Sequence, residues 1–198
     1  MSEYKKWLDN QVRISLAAKD SEKVAARRLF LFNSSIILAS HGAAAFQIID
    51  AVSRRFKVPF RSVAISGSSQ TGYSYAKNRD FVAGESDLDL AIIDSRVFQA
   101  HSELVYYLTN AYRDLTQFPV DNGVSKADEF RDYLIKGYFR PDLMPYSETR
   151  LSWFKFFNDL SSRYLDLFKN INCGVFLSEG FFEGKQKMTI DRMRREIK

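Results

Sequence analysis

The chain has 198 residues, 45% of them hydrophobic, with 17 Phe and 10 Tyr; this composition excludes a disordered chain and suffices to bury a substantial core. Lys and Arg number 29 against 24 Asp and Glu, a net charge of +5, which permits a nucleotide or nucleic-acid partner without demanding one. The single cysteine, Cys173, excludes an internal disulfide and a cysteine-type zinc site.

Taken in chain order, apolar residues at helical spacing predict a helix over residues 4–18. A second helix, capped by Ser21, is predicted to run through Phe32 and beyond. Residues 43–56 read as a third, with Ala45, Phe46, Ile49, Val52 and Phe56 on one side and Pro59 closing it. Alternation at Val63 and Ile65 predicts a strand over 61–66, followed by a helix over 69–76 and a polar loop over 77–85. A second strand is expected over 87–93 and a long helix over 98–115. Residues 118–123 read as a turn or a short edge strand, because Pro119 cannot join a central one. Helices over 128–136 and, from the Ser147 cap, to about 168 come next; a third strand over 172–177 and a basic helix over 188–197 close the chain. The pattern reads as a small sheet framed by several helices, an α+β or α/β arrangement, of which α+β is the expected class. Residues 1–58 supply N-terminal helices, 59–125 the core motifs, and 126–198 a helical part with a further strand, all within a single domain.

The amphipathic stretch at residues 1–7 has no apolar run of the secretory type, and no apolar segment reaches the ~20 residues of a membrane span. The expectation is a cytoplasmic protein with no membrane partner. Cys173 and the two histidines, His41 and His101, are expected to be structural. Basic groups at Arg27, Arg28, Arg54, Arg55, Arg192, Arg194 and Arg195 read either as solvated helix faces or as phosphate contacts.

Two segments carry chemistry. In Ser66-Gly67-Ser68-Ser69, a strand turns straight into a helix. Unpaired N–H groups there can face an anion, Gly67 lets the backbone approach it, and Ser68 and Ser69 add hydroxyl donors. In Ser86-Asp87-Leu88-Asp89-Leu90-Ala91-Ile92-Ile93, Asp87 and Asp89 share one strand face while the leucines point to the core. Two carboxylates so placed repel one another, and a bound Mg²⁺ would relieve that repulsion.

In that order, Val63-Ala64-Ile65-Ser66-Gly67-Ser68 and then Ser86-Asp87-Leu88-Asp89-Leu90, the chain resembles the polymerase-beta-like nucleotidyltransferase superfamily. The Ser-Asp-Leu-Asp-Leu run is similar to the minimal nucleotidyltransferases of prokaryotes, which include antitoxins paired with helical toxin subunits. The resemblance covers about thirty residues. It implies a nucleotidyltransferase-type sheet, with Ser68 and the Gly67 backbone on the β- and γ-phosphates of a nucleoside triphosphate and two Mg²⁺ ions on Asp87 and Asp89. It further implies transfer of a nucleoside monophosphate to a hydroxyl of a protein or RNA. Lys77 and Arg79, in a longer connection than the family's shortest, either reach phosphate or belong to a plain surface loop.

Active members place a third acid on a later strand. Residues 172–177 hold none; Glu179 just beyond and Asp121 in the turn are the candidates. Without a third acid, the resemblance implies a binding or regulatory subunit, of the toxin–antitoxin or antiphage kind, that holds nucleotide without transferring it. A third alternative is a nucleic-acid-binding module that uses the basic helices, although no recognisable motif supports it.

Overall fold

The computed structural model describes residues 2–197. Eight α-helices occur among them: α1 (Glu3–Ala17), α2 (Glu22–Arg27), α3 (Gly42–Phe56), α4 (Gly67–Thr71), α5 (Ser95–Leu108), α6 (Ala127–Ile135), α7 (Glu148–Ser161) and α8 (Glu179–Ile197). The strands are β1 (Val63–Ser66), β2 (Tyr73–Ser74), β3 (Arg79–Asp80), β4 (Leu88–Ile93), β5 (Val120–Asp121), β6 (Val124–Ser125), β7 (Tyr138–Phe139) and β8 (Ile171–Phe176). The fold is α+β, as its sequence pattern leads one to expect.

Four strands form one mixed sheet in the order β1-β4-β8-β7. β4 runs antiparallel to β1 and parallel to β8, and β7 closes the far edge antiparallel to β8. Parallel neighbours need a long crossover; here it carries α5, the β5–β6 hairpin, α6, β7 and α7.

Strand alternation sends the two faces of the sheet into different cores. Val63, Leu88, Leu90, Ile92, Cys173 and Val175 pack with Ile48 and Val52 of α3, Phe98 and Val105 of α5, and Trp153 and Phe157 of α7. On the opposite face, Ala91, Tyr138 and Phe176 meet Leu8 and Val12 of α1, Phe30, and Phe182 and Ile190 of α8. Burial of so many apolar side chains is the main stabilising contribution to the fold. Cys173 is buried, and His101 packs its ring against Phe139 and Trp153.

Several elements end where local chemistry overrides periodicity. α4 stops after five residues because Gly72 adopts φ +74, and a Cβ there would lie 2.6 Å from the Tyr4 ring. The helix expected over 69–76 is therefore α4 followed by β2, and the expected loop contains β3, paired with β2 around the left-handed Asn78. The second helix ends at Phe32 in a π-turn over Arg28–Phe32. α5 stops at Leu108, where Thr109 donates to the Val105 carbonyl and accepts from Tyr112 N–H. α7 stops at Ser161, whose hydroxyl donates to the Phe157 carbonyl and accepts from Ile171 N–H, launching β8. α8 begins nine residues before the predicted start at 188, its first turns disguised by Gly180 and Gly184. Among the described residues no helix is long and apolar enough to cross a membrane.

Candidate functional site

The C-terminal end of β1 and the starts of β4 and β8 meet at one end of the sheet. Ser66 pairs with Asp89, and Asp89 pairs with Asn172, so these three residues form a polar row across three strands. The next row on the same face is Ala64, Ala91 and Gly174, small residues that begin the apolar part of that face.

The bend after β1 is built around Asp89. Gly67 has φ +65, and a Cβ on it would stand 2.6 Å from Asp89 Oδ2. The glycine supplies both the left-handed turn and the room for the carboxylate. Ser69 is fully buried; its hydroxyl donates to the Ser66 carbonyl (2.8 Å) and accepts from Asp89 N–H (3.4 Å). It thus ties the bend to β4 instead of facing a ligand, a correction to its expected role as a phosphate donor. A helix as short as α4 also brings little dipole to the turn. Ser68 is the serine of the bend that faces open space.

Asp87 lies one residue ahead of β4, not within it. Its Oδ1 accepts from Asn170 Nδ2 at 3.0 Å, while Leu88 N–H reaches the Asn170 carbonyl at 2.8 Å. Asp87 and Asp89 line one narrow cleft with Ser68, Ser74, Lys77, Arg79, Asp80 and Ser86. The structure therefore brings together the bend, both aspartates and the two basic residues of the β2–β3 hairpin. Burial pushes the Asp89 carboxyl above the usual carboxylate range; the Asn172 amide works against that rise, the Asp87 charge adds to it, and Lys77 and Arg140 oppose it.

Larger cavities open on either side. One, of about 690 Å³, runs from Gly67 and Ser68 along Tyr73 to Lys185, Arg192 and Arg195 of α8. The other, of about 560 Å³, runs from Ser66 and Asp89 over Asn172 and Gly174 to Tyr133, Tyr138 and Arg140. Of the remaining basic groups, Arg27 binds Glu183, Arg28 binds Asp20, Arg54 binds Asp50 and Arg194 binds Glu22, which accounts for them as surface and interhelix ion pairs.

Neither candidate for a third acid reaches the cleft. Glu179 opens α8, and Asp121 sits exposed in the β5–β6 hairpin beside Lys126 (3.4 Å). Among the described residues no three His, Cys, Asp or Glu side chains gather as a metal set. The strand beside Asp89 offers Asn172 instead. Asn170, Asn172, Ser74, Asp80 and Arg140 were not legible as site residues. The signal that could have found the first two is Asn170-Ile171-Asn172 ahead of an apolar run, the neutral counterpart of Asp87-Leu88-Asp89. No protein-family model, curated protein or solved structure matches the chain.

Proposed function

We propose that the chain is a nucleotidyltransferase-type protein that binds a nucleoside triphosphate with Mg²⁺ and passes its nucleoside monophosphate to a hydroxyl of a protein or RNA. The observation that carries this reading is the convergence of Asp87, Asp89, Ser68, Lys77 and Arg79 on one cleft beside the Gly67 bend. Hard carboxylate oxygens suit Mg²⁺, and a cation between two close, partly desolvated carboxylates offsets the cost of charging them. Asp87 and Asp89 would hold the ion, which when bound neutralises phosphate charge and polarises the reacting phosphorus. Lys77 and Arg79 supply fixed positive charge for the outer phosphates, and the Ser68 hydroxyl donates to them. In the transfer, the acceptor oxygen bonds to the α-phosphorus as its bond to the bridging oxygen breaks. Pyrophosphate leaves with that electron pair, and the acceptor's proton passes to solvent.

One observation favours a second reading, nucleotide binding without transfer. The residue beside Asp89 on β8 is the neutral Asn172, which is a poor base. Incubating the chain with α-labelled triphosphates, Mg²⁺, and protein and RNA acceptors separates the readings. Transfer predicts label on an acceptor, abolished by Asp87→Ala with Asp89→Ala. Tight binding without label selects the second reading, and labelling that survives the double substitution overturns the site.

A further inference from the structure

The first residues of β4 and β8 are chemical counterparts. The strands run parallel with Asp89 opposite Asn172, so Asp-x-Asp and Asn-x-Asn begin side by side at the same level of the sheet. Each carboxylate has one amide neighbour. Asn170 Nδ2 donates to Asp87 Oδ1 at 3.0 Å, and Asn172 stands directly opposite Asp89 on the parallel strand β8. A carboxamide offers a carboxylate a donor and brings no charge. The two asparagines can therefore orient the aspartates but cannot balance the charge of a second metal ion.

The surroundings point the same way. Asp80 is a third acid on the wall of the cleft, its Oδ1 accepting from Ser2 Oγ at 2.5 Å, but among the described residues it does not gather with Asp87 and Asp89 into a three-ligand set. Lys77 and Arg79, both exposed, line the cleft, and Arg140 lines the neighbouring cavity that Asp89 also borders. Three fixed cations thus already stand around the two aspartates.

We infer that Asn170 and Asn172 are positioning residues that set Asp87 and Asp89 for a single divalent cation, instead of the two that the resemblance implies. The inference rests on the proposed reading of the cleft as a cation and triphosphate site. A site of this kind holds the ion brought by a triphosphate and provides no second ion to activate an acceptor hydroxyl.

Mn²⁺ alone, titrated against the full-length chain and counted by electron paramagnetic resonance, tests it. The expected result is one bound Mn²⁺ per chain, none after Asp89→Ala, two after Asn172→Asp, and one held more weakly after Asn172→Ala. If Asn172→Asp does not fold, as judged by its melting curve, Asn170→Asp carries the same expectation from the neighbouring position. Two Mn²⁺ ions on the native chain would overturn the inference and leave the proposed function standing. A native chain with none would remove the cation site itself. A folded Asn172→Asp protein that still binds one ion would deny Asn172 its role.

Discussion

Gly67 and Asp89 occupy each other's space: the bend can hold its course only because residue 67 has no side chain where Asp89 Oδ2 lies, and the carboxylate is held beside the bend for the same reason. Gly67→Ala makes this relationship measurable. The left-handed φ of +65 alone costs an alanine about 1 kcal/mol, and the new methyl group must also displace the Asp89 carboxylate from 2.6 Å. The expected variant is folded with a slightly lower melting temperature, and its Mn²⁺ affinity falls by about tenfold or more, about 1.4 kcal/mol on the affinity scale. Calorimetric titration checks the affinity and a melting curve the fold. Unchanged affinity would separate the bend from the site.

The bend is held from behind by Gln70. Its buried amide donates to the Leu29 carbonyl (2.8 Å) and the Asn33 carbonyl (2.9 Å), which lie at the two ends of the π-turn after α2. Gln70→Ala leaves both acceptors without a donor in an interior setting, for which about 1–3 kcal/mol is the usual cost. Urea unfolding is expected to show a loss of about 2 kcal/mol. Ser35, which donates to the Ser69 carbonyl at 2.6 Å, gives a milder variant on the same clamp. A Gln70→Ala protein as stable as the native chain would mean that water replaces the amide.

Much of the architecture was written in periodicity and little of the site's detail was. Strand β4 was visible because Leu88, Leu90 and Ile92 alternate against two aspartates, residues that a strand does not favour without a reason. β8 was visible almost whole, expected over 172–177 against the observed Ile171–Phe176, but its parallel pairing was not, so nothing in the sequence set Asn172 beside Asp89 or Asn170 beside Asp87. The β2–β3 hairpin could not be read because each strand has two residues, too few for any period to register. Ser69 shows the limit at the level of one side chain. Sequence placed it correctly in the bend, but only packing reveals that its hydroxyl turns inward to Ser66 and Asp89 N–H. The ends of α5 and α7 depended on Thr109 and Ser161 capturing carbonyls one turn back, a choice that residue type allows but does not compel.

The hairpin's basic residues give a prediction of their own. Lys77 lines the cleft and its charge is felt at Asp89, so in the proposed reading it meets a phosphate tail beside the cation. Lys77→Ala is expected to weaken nucleoside triphosphate binding by about tenfold, about 1.4 kcal/mol, and to flatten its salt dependence, while the melting temperature barely moves because the side chain is exposed. Binding isotherms at two ionic strengths provide the check. An affinity loss that is the same for a nucleoside lacking phosphates would contradict a phosphate contact.

His101 makes the stability of the fold depend on pH. It sits within α5 with its ring against Phe139 and Trp153 and its Nδ1 beside the Val97 carbonyl at 2.8 Å. Burial holds its pKa below the ordinary value of 6.5, with the Val97 carbonyl opposing that shift. The folded protein therefore keeps the ring neutral at pH values where the unfolded chain already binds a proton. By linkage, this group's contribution is fully present above the unfolded value and is lost as pH falls below 6.5 toward the lower folded value. Urea midpoints measured downward from neutral pH should decline for the native chain. In His101→Gln that part of the decline should vanish, even though the variant starts from lower stability because it loses the aromatic packing. Parallel pH profiles for the two proteins would show that the buried imidazole carries no such linkage.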